Sequence, residues 1–213
     1  MQDKRVKFAL TRVAPILLLL MLCFSGCDSN SNVPTSLVRA QSTSQGAATP
    51  DHGSVGIGDT FDALAPPVRL LIPAIGVNSV IEDVGILENG DLGTATRDPW
   101  DDVGWYDLGA YPGSRGSAVI DGHLDRPGGY PAIFWNLRNL HIGDKVMVLN
   151  THGKTISFRV TRIEFYPPEA APVQEIFGNQ AGNYLNLITC AGDWIPSQHQ
   201  TKLRQVVYTT LAS

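Results

Sequence analysis

The chain has 213 residues, 43% hydrophobic and 17% charged, with 21 Gly and 14 Pro. That suits one ordinary domain with a sizeable core plus accessory segments. Its net charge of -4 hides an asymmetry: residues 1–26 hold four basic residues (Lys4, Arg5, Lys7, Arg12) against Asp3, so the remainder carries 12 basic and 19 acidic residues, a net of -7. With no Lys/Arg cluster to meet phosphates, nucleic acid is excluded as a partner. Three cysteines are too few for a disulfide framework, and no CxxC or His/Cys spacing suggests a structural zinc site.

The N-terminus reads as an address. The basic residues precede an uncharged run, Val13 to Cys27, of about 15 residues, shorter than the ~20 a membrane-spanning helix needs. Phe24-Ser25-Gly26-Cys27 resembles a lipoprotein box, with small residues before a cysteine that would take a diacylglycerol, although Phe24 stands where Leu is usual. Residues 1–27 are therefore read as a signal sequence of lipoprotein type. An ordinary cleaved signal or an uncleaved anchor remains the alternative, and each places the domain outside the cytoplasm. Residues 28–65 are rich in Ser, Thr, Gln, Asn and Gly and hold one aromatic, Phe61. Such a segment cannot offset its ordering entropy by burial and is expected to be a disordered tether of roughly 35 Å reach.

From Pro66 onward the pattern is β. Short apolar runs at 68–73, 117–122, 145–149, 156–165, 184–189 and 205–211 are separated by turn residues, Asn89-Gly90 among them. Within Ile156–Phe165 the apolar phase slips after Val160, which predicts a bulge near Thr161. Helical periodicity is weak; a single helical turn is expected at Ala132–Leu137, after Pro131. The residues alone give one β-barrel or sandwich over 66–213.

The run 184–189 leads into Cys190, followed by a polar, Gly/Pro-containing stretch that reads as a loop to Leu203, and then Arg204. Should the two flanking strands pair as a hairpin, Cys190 and Arg204 would share its loop-side end. A guanidinium there can hold a developing oxyanion beside an attacking sulfur. Ser117–Asp121 ends in Gly122-His123, and an imidazole at a strand end can protonate a leaving amine.

These residues carry a resemblance. Leu187-Ile188-Thr189-Cys190 with Arg204 downstream, and Gly122-His123 upstream, resemble the signature of sortases, the cysteine transpeptidases of bacterial surfaces. Further motifs are similar to the class F branch: Leu70–Val77, Val103-Gly104-Trp105-Tyr106, Gly122–Asp125, and Ala132-Ile133-Phe134 leading to Leu140–Asp144. The resemblance runs from Val68 to the C-terminus and implies a mainly β fold, the eight-stranded sortase barrel with short helices. It implies that Cys190 attacks the carbonyl of an LPxTG-like sorting motif to form a thioacyl enzyme. His123 would serve as acid and base, and Arg204 would stabilise the oxyanion. Thr189 would line that site. The partners implied are a sorting-motif peptide, an amine nucleophile or water, and a membrane reached through the N-terminal anchor. No metal or organic cofactor is implied. Sortases are usually held by an uncleaved transmembrane helix, so a lipid on Cys27 would be a departure.

Blander roles stand beside these. Free cysteines are often core residues. Asp125 could orient His123 or simply make a turn in Asp125-Arg126-Pro127-Gly128-Gly129; Trp194 could wall a groove or pack. His199 could be a rival base, His52, His141 and His152 are expected to be solvated, and Asp101-Asp102 to face water. Papain-like peptidases place Cys before His, the reverse of this order, and no Ser-His-Gly-Cys run of L,D-transpeptidases occurs. From a different class, the chain could be a non-catalytic, surface-tethered lipoprotein that binds peptides on a sortase-like barrel.

Overall fold

Alternation of side chains decides which face each strand buries. In Lys145–Asn150 and the first half of Thr155–Tyr166, Val146, Val148, Ile156, Phe158 and Val160 are buried while the residues between them are half-buried or exposed. The computed structural model describes residues 65–198 and 200–212. Among them are eight strands: β1 (Pro67–Ile72), β2 (Val77–Val84), β3 (Val103–Tyr106), β4 (Gly116–Asp121), β5 (Lys145–Asn150), β6 (Thr155–Tyr166), β7 (Asn183–Ile195) and β8 (Gln200–Leu211). They close a barrel in the order β1-β2-β3-β4-β7-β8-β6-β5, with β5 returning to β1. The β2–β3 and β4–β7 pairs are parallel and the rest antiparallel. Closure leaves no unpaired sheet edge.

The barrel interior is filled from all eight strands, with Leu70, Ile81, Trp105, Ile120, Val148, Phe158, Leu187 and Val207 among its buried residues. A second apolar cluster lies on the outer face: Val119, Ile188, Cys190, Val206 and Tyr208 pack with Ile176. Ile176 belongs to α1 (Val173–Gly178), which is fastened there by Asn186 Nδ2 donating to the Ile176 carbonyl at 2.6 Å. Covered on both sides, β4 is buried along its whole length, which explains its near-continuous apolar sequence.

The mainly β barrel agrees with the sequence reading, and so does the bulge: the β6–β8 register shifts between Val160 and Arg162. Gly90 takes the left-handed conformation (φ 84°) in the Asn89-Gly90 turn, which the Ile86–Leu92 bridge closes. Two expectations need correction. The helical turn lies at Trp135–Asn139 as a 3₁₀ helix, three residues later than expected, because Pro131 is used in a bridge to Asp125 and not as a helix start. The stretch from Ala191 to Leu203 is mostly strand, since β7 and β8 pair on as far as Ile195 and Gln200 after a register shift. The helix α1, and the strands β2 and β3, were not anticipated as elements. Cys27, the signal, residues 28–64 of the expected tether, His52 and His199 lie outside the described residues.

Candidate active site

The β7–β8 pairing makes Cys190 and Arg204 direct cross-strand partners, so their side chains leave the sheet on the same face. That face is the outer one, where Cys190 lies in the cluster beneath α1, 5% exposed. Arg204 is fully buried. Its Nη1 donates to Thr201 Oγ1 at 2.9 Å, to the Leu203 carbonyl at 3.1 Å and to the Thr201 carbonyl at 3.3 Å, while Nη2 reaches Gln200 Oε1 at 3.5 Å. Its Nε has no hydrogen-bond partner. Among the described residues no carboxylate pairs with this guanidinium. A buried cation held only by neutral acceptors retains its attraction for an anion that arrives beside it.

His123 comes to the same end of β7 by a parallel alignment. Asp121 of β4 pairs with Ile188, the Gly122 amide donates to the Ile188 carbonyl at 3.1 Å, and Thr189 Oγ1 donates to the Gly122 carbonyl at 2.7 Å. Both bonds come from the two residues just before Cys190, and His123 is the residue just after Gly122. Only glycine fits at 122: a Cβ there would lie 2.7 Å from Phe134 Cδ2. His123, 3% exposed, then opens a hairpin-like loop, its carbonyl accepting from the Phe134 amide at 3.0 Å and the Leu124 carbonyl from the Ala132 amide at 3.1 Å. Asp125 bridges Pro131 at the neck of that loop, which accords with the turn role. Trp100 packs its indole against the imidazole, ring centroids 4.9 Å apart and planes inclined by 43°.

The sequence reading missed Asp121. Its carboxyl is completely buried on the same outer face as Ile188 and Cys190, and neither oxygen has a hydrogen-bond partner. Space for it is left by Gly104 of β3, where a Cβ would stand 2.4 Å from Asp121 Oδ1. Burial raises this carboxyl well above the usual carboxylate range, with its own backbone N–H acting in the opposite direction, which favours the protonated form. An acidic residue ending an apolar run directly before Gly-His was the available signal. Trp100 gave a weaker one, an aromatic in an Asp-Pro turn.

The other candidates fall as follows. Thr189 is fully buried, its hydroxyl given to Gly122. Trp194 is half-buried on the extended part of β7, opposite Thr201. Asp101 does not simply face water: it pairs with Arg126. His141 is exposed, 4.0 Å from Asp144, and His152 is in an exposed turn. Among the described residues no three His, Cys, Asp or Glu side chains converge to hold a metal ion.

This arrangement of thiol, imidazole and buried guanidinium can support acyl transfer, with the sulfur as nucleophile, the imidazole moving the proton and the cation facing the oxyanion. Similar barrels are known. Sortase C1 of Streptococcus agalactiae, solved in complex with MTSET, superposes with a TM-score of 0.54 at 21% identity, over 68% of this chain and 67% of that one. Sortase C-1 of Actinomyces oris gives 0.54 at 24% identity over 69% and 75%. The sortase D5 transpeptidase of Clostridium perfringens gives 0.52 at 21% over 70% and 79%. No curated protein sequence matches the chain. The profile of the sortase domain matches residues 70–212, nearly the whole barrel and all three of His123, Cys190 and Arg204, and the chain belongs to the sortase family.

Proposed function

We propose that this chain is a cysteine transpeptidase that cleaves an LPxTG-like sorting motif. The Cys190 sulfur attacks the scissile carbonyl as the thiol proton passes to His123, and Arg204 holds the resulting oxyanion. Collapse breaks the C–N bond as His123 gives its proton to the departing amine, leaving a thioester on Cys190. An incoming amine attacks that thioester, His123 takes its proton and passes it to the sulfur, and the thiol is released with a new amide; water in place of the amine gives hydrolysis. The observation that carries this reading is the cross-strand pairing of Cys190 with Arg204, whose buried guanidinium no carboxylate neutralises among the described residues. Thr189 supports the site through its bond to the Gly122 carbonyl, and Trp194 lines the substrate in this reading. The motifs quoted above favour the class F branch within the family, whereas the similar solved barrels are sortases of classes C, D and A.

The chain acts outside the cytoplasm, tethered by a lipid on Cys27 or by an uncleaved N-terminal segment. A Cys27→Ala chain that loses incorporation of a labelled fatty acid yet keeps its activity would support the lipid; unchanged incorporation would remove it.

The test of the activity is a panel of quenched LPxTG-type peptides incubated with the chain, with and without an amine acceptor, against Cys190→Ala. Cleavage that requires Cys190 and joins the product to the amine supports the proposal. The low exposure of Cys190 favours a second reading, a peptide-binding module with an inert thiol. That reading predicts no cleavage and no labelling by a thiol-reactive probe even when peptide is present.

A further inference from the structure

A tight turn precedes β3. The amides of Asp102 and Asp101 both donate to the Asp98 carbonyl, at 2.8 and 3.2 Å. The turn is clamped from two directions. From β2, Ser79 Oγ donates to the Asp101 carbonyl at 2.8 Å. From the loop that follows His123, the Ile133 amide donates to the Trp100 carbonyl at 2.8 Å, and Arg126 pairs with Asp101. The side chain presented by this frame is Trp100, whose indole packs against the His123 imidazole. Trp100 belongs to neither buried apolar cluster and is only half-buried, so core packing does not account for its place.

The backbone of His123 is held on both sides, by Thr189 and Ile188 through Gly122 and by Phe134 through its own carbonyl. Those bonds place the Cα; the ring turns about χ2, a torsion that for histidine is broad and roughly two-fold. An aromatic wall at stacking distance narrows that torsion, and a tilted contact of this kind is favourable beyond the area it buries.

We propose that Trp100 is a positioning residue of the transfer reaction: it fixes the plane of the His123 imidazole so that the same ring edge faces the thioester in both proton transfers. This rests on His123 being the acid–base group of the reading above. The role differs from substrate binding, because Trp100 acts through His123 and its loss is expected to lower kcat and spare KM.

The experiment compares the full chain with Trp100→Leu and Trp100→Phe. Kinetics use a cleaved peptide with an amine acceptor, and the His123 ring protons are followed by NMR in a Cys190→Ala background. With the indole against the imidazole those protons are shielded. Trp100→Leu is expected to move them downfield and to lower kcat on the order of tenfold, with KM within about twofold. Trp100→Phe is expected to restore most of both. Unmoved His123 protons, a loss confined to KM, or a kcat loss that Phe does not restore would each overturn the proposal. Should Trp100→Leu not fold, Trp100→Gln takes its place with the same expectations. If the unaltered chain cleaves no peptide at all, the transpeptidase reading fails, while the His123 resonances still decide whether Trp100 orients the ring.

Discussion

The hydroxyl of Thr189 donates to the carbonyl of Gly122 at 2.7 Å, so the residue before the thiol grips the residue before the imidazole. This bond ties β7 to the end of β4 one residue away from both Cys190 and His123, whose spacing matters to the proposed transfer. Thr189→Val keeps the shape and removes the donor, leaving a buried carbonyl without this bond. It is expected to cost about 1–3 kcal/mol in urea unfolding and to lower kcat, whereas Thr189→Ser retains both. Equal stability of Val and Ser variants would show that the bond carries nothing.

On the proposed mechanism, Arg204 tolerates not even lysine. Lysine offers one ammonium in place of a fork of donors, and it cannot hold Thr201, Leu203 and Gln200 together while also facing an oxyanion. Arg204→Lys is expected to reduce kcat by roughly 10²–10³ with peptide and amine saturating. Cys190→Ala, by contrast, is expected to abolish turnover while leaving the circular dichroism spectrum and urea midpoint close to those of the unaltered chain.

Asp121 should leave a signature in the pH dependence of stability. Its carboxyl, raised by burial, holds a proton in the folded chain that the unfolded chain releases near pH ~4. The folded state therefore binds more protons above that point, and stability falls with rising pH until the folded carboxyl itself ionises. Asp121→Asn removes this slope. Urea midpoints measured from about pH 4 to about pH 8 are expected to show the variant gaining on the unaltered chain as pH rises. Parallel curves would mean that the buried carboxyl has found a partner.

Glu82 runs the other way. Burial pulls its carboxyl up, but bonds from the Thr96 amide and hydroxyl and the Arg97 amide, with the Arg97 charge, outweigh that and set it below the ordinary value. Its contribution is therefore present above pH ~4.3 and lost as pH falls through the lower folded value. Glu82→Gln is expected to be less stable at neutral pH, with the difference closing in acid. Because Glu82 holds the backbone at Thr96 and Arg97, just before the Trp100 turn, peptide cleavage is expected to suffer in the same acid range.

What the sequence made legible followed from chemistry that acts locally. The alternation through Val146, Val148, Ile156, Phe158 and Val160, and its slip at Thr161, are side-chain facts that a strand cannot conceal. The partnership of Cys190 with Arg204 needed only the assumption of a hairpin. Other features depended on distant residues. The helix α1 spans six residues and buries only Ile176, too little to write a helical period. The continuation of β7 and β8 beyond Cys190 looked like loop because Gly192 and Pro196 interrupt it, yet backbone pairing of Trp194 with Thr201 needs no apolar pattern. Asp121 is tolerable only because Gly104 of another strand stands aside, and Trp100 matters only where His123 lies. Neither relation can be read from spacing.

The barrel's strand order has a consequence for how the thiol first acquires its helpers. β8 lies between β7 and β6, yet it follows both in the chain. A ribosome delivers His123 first, Cys190 next and Arg204 last, and the wall stays open until the final strand slides into its gap. Pairings between segments so far apart along the chain form late. During synthesis the sulfur is therefore present without its cation, and the paired site waits on the completion of folding.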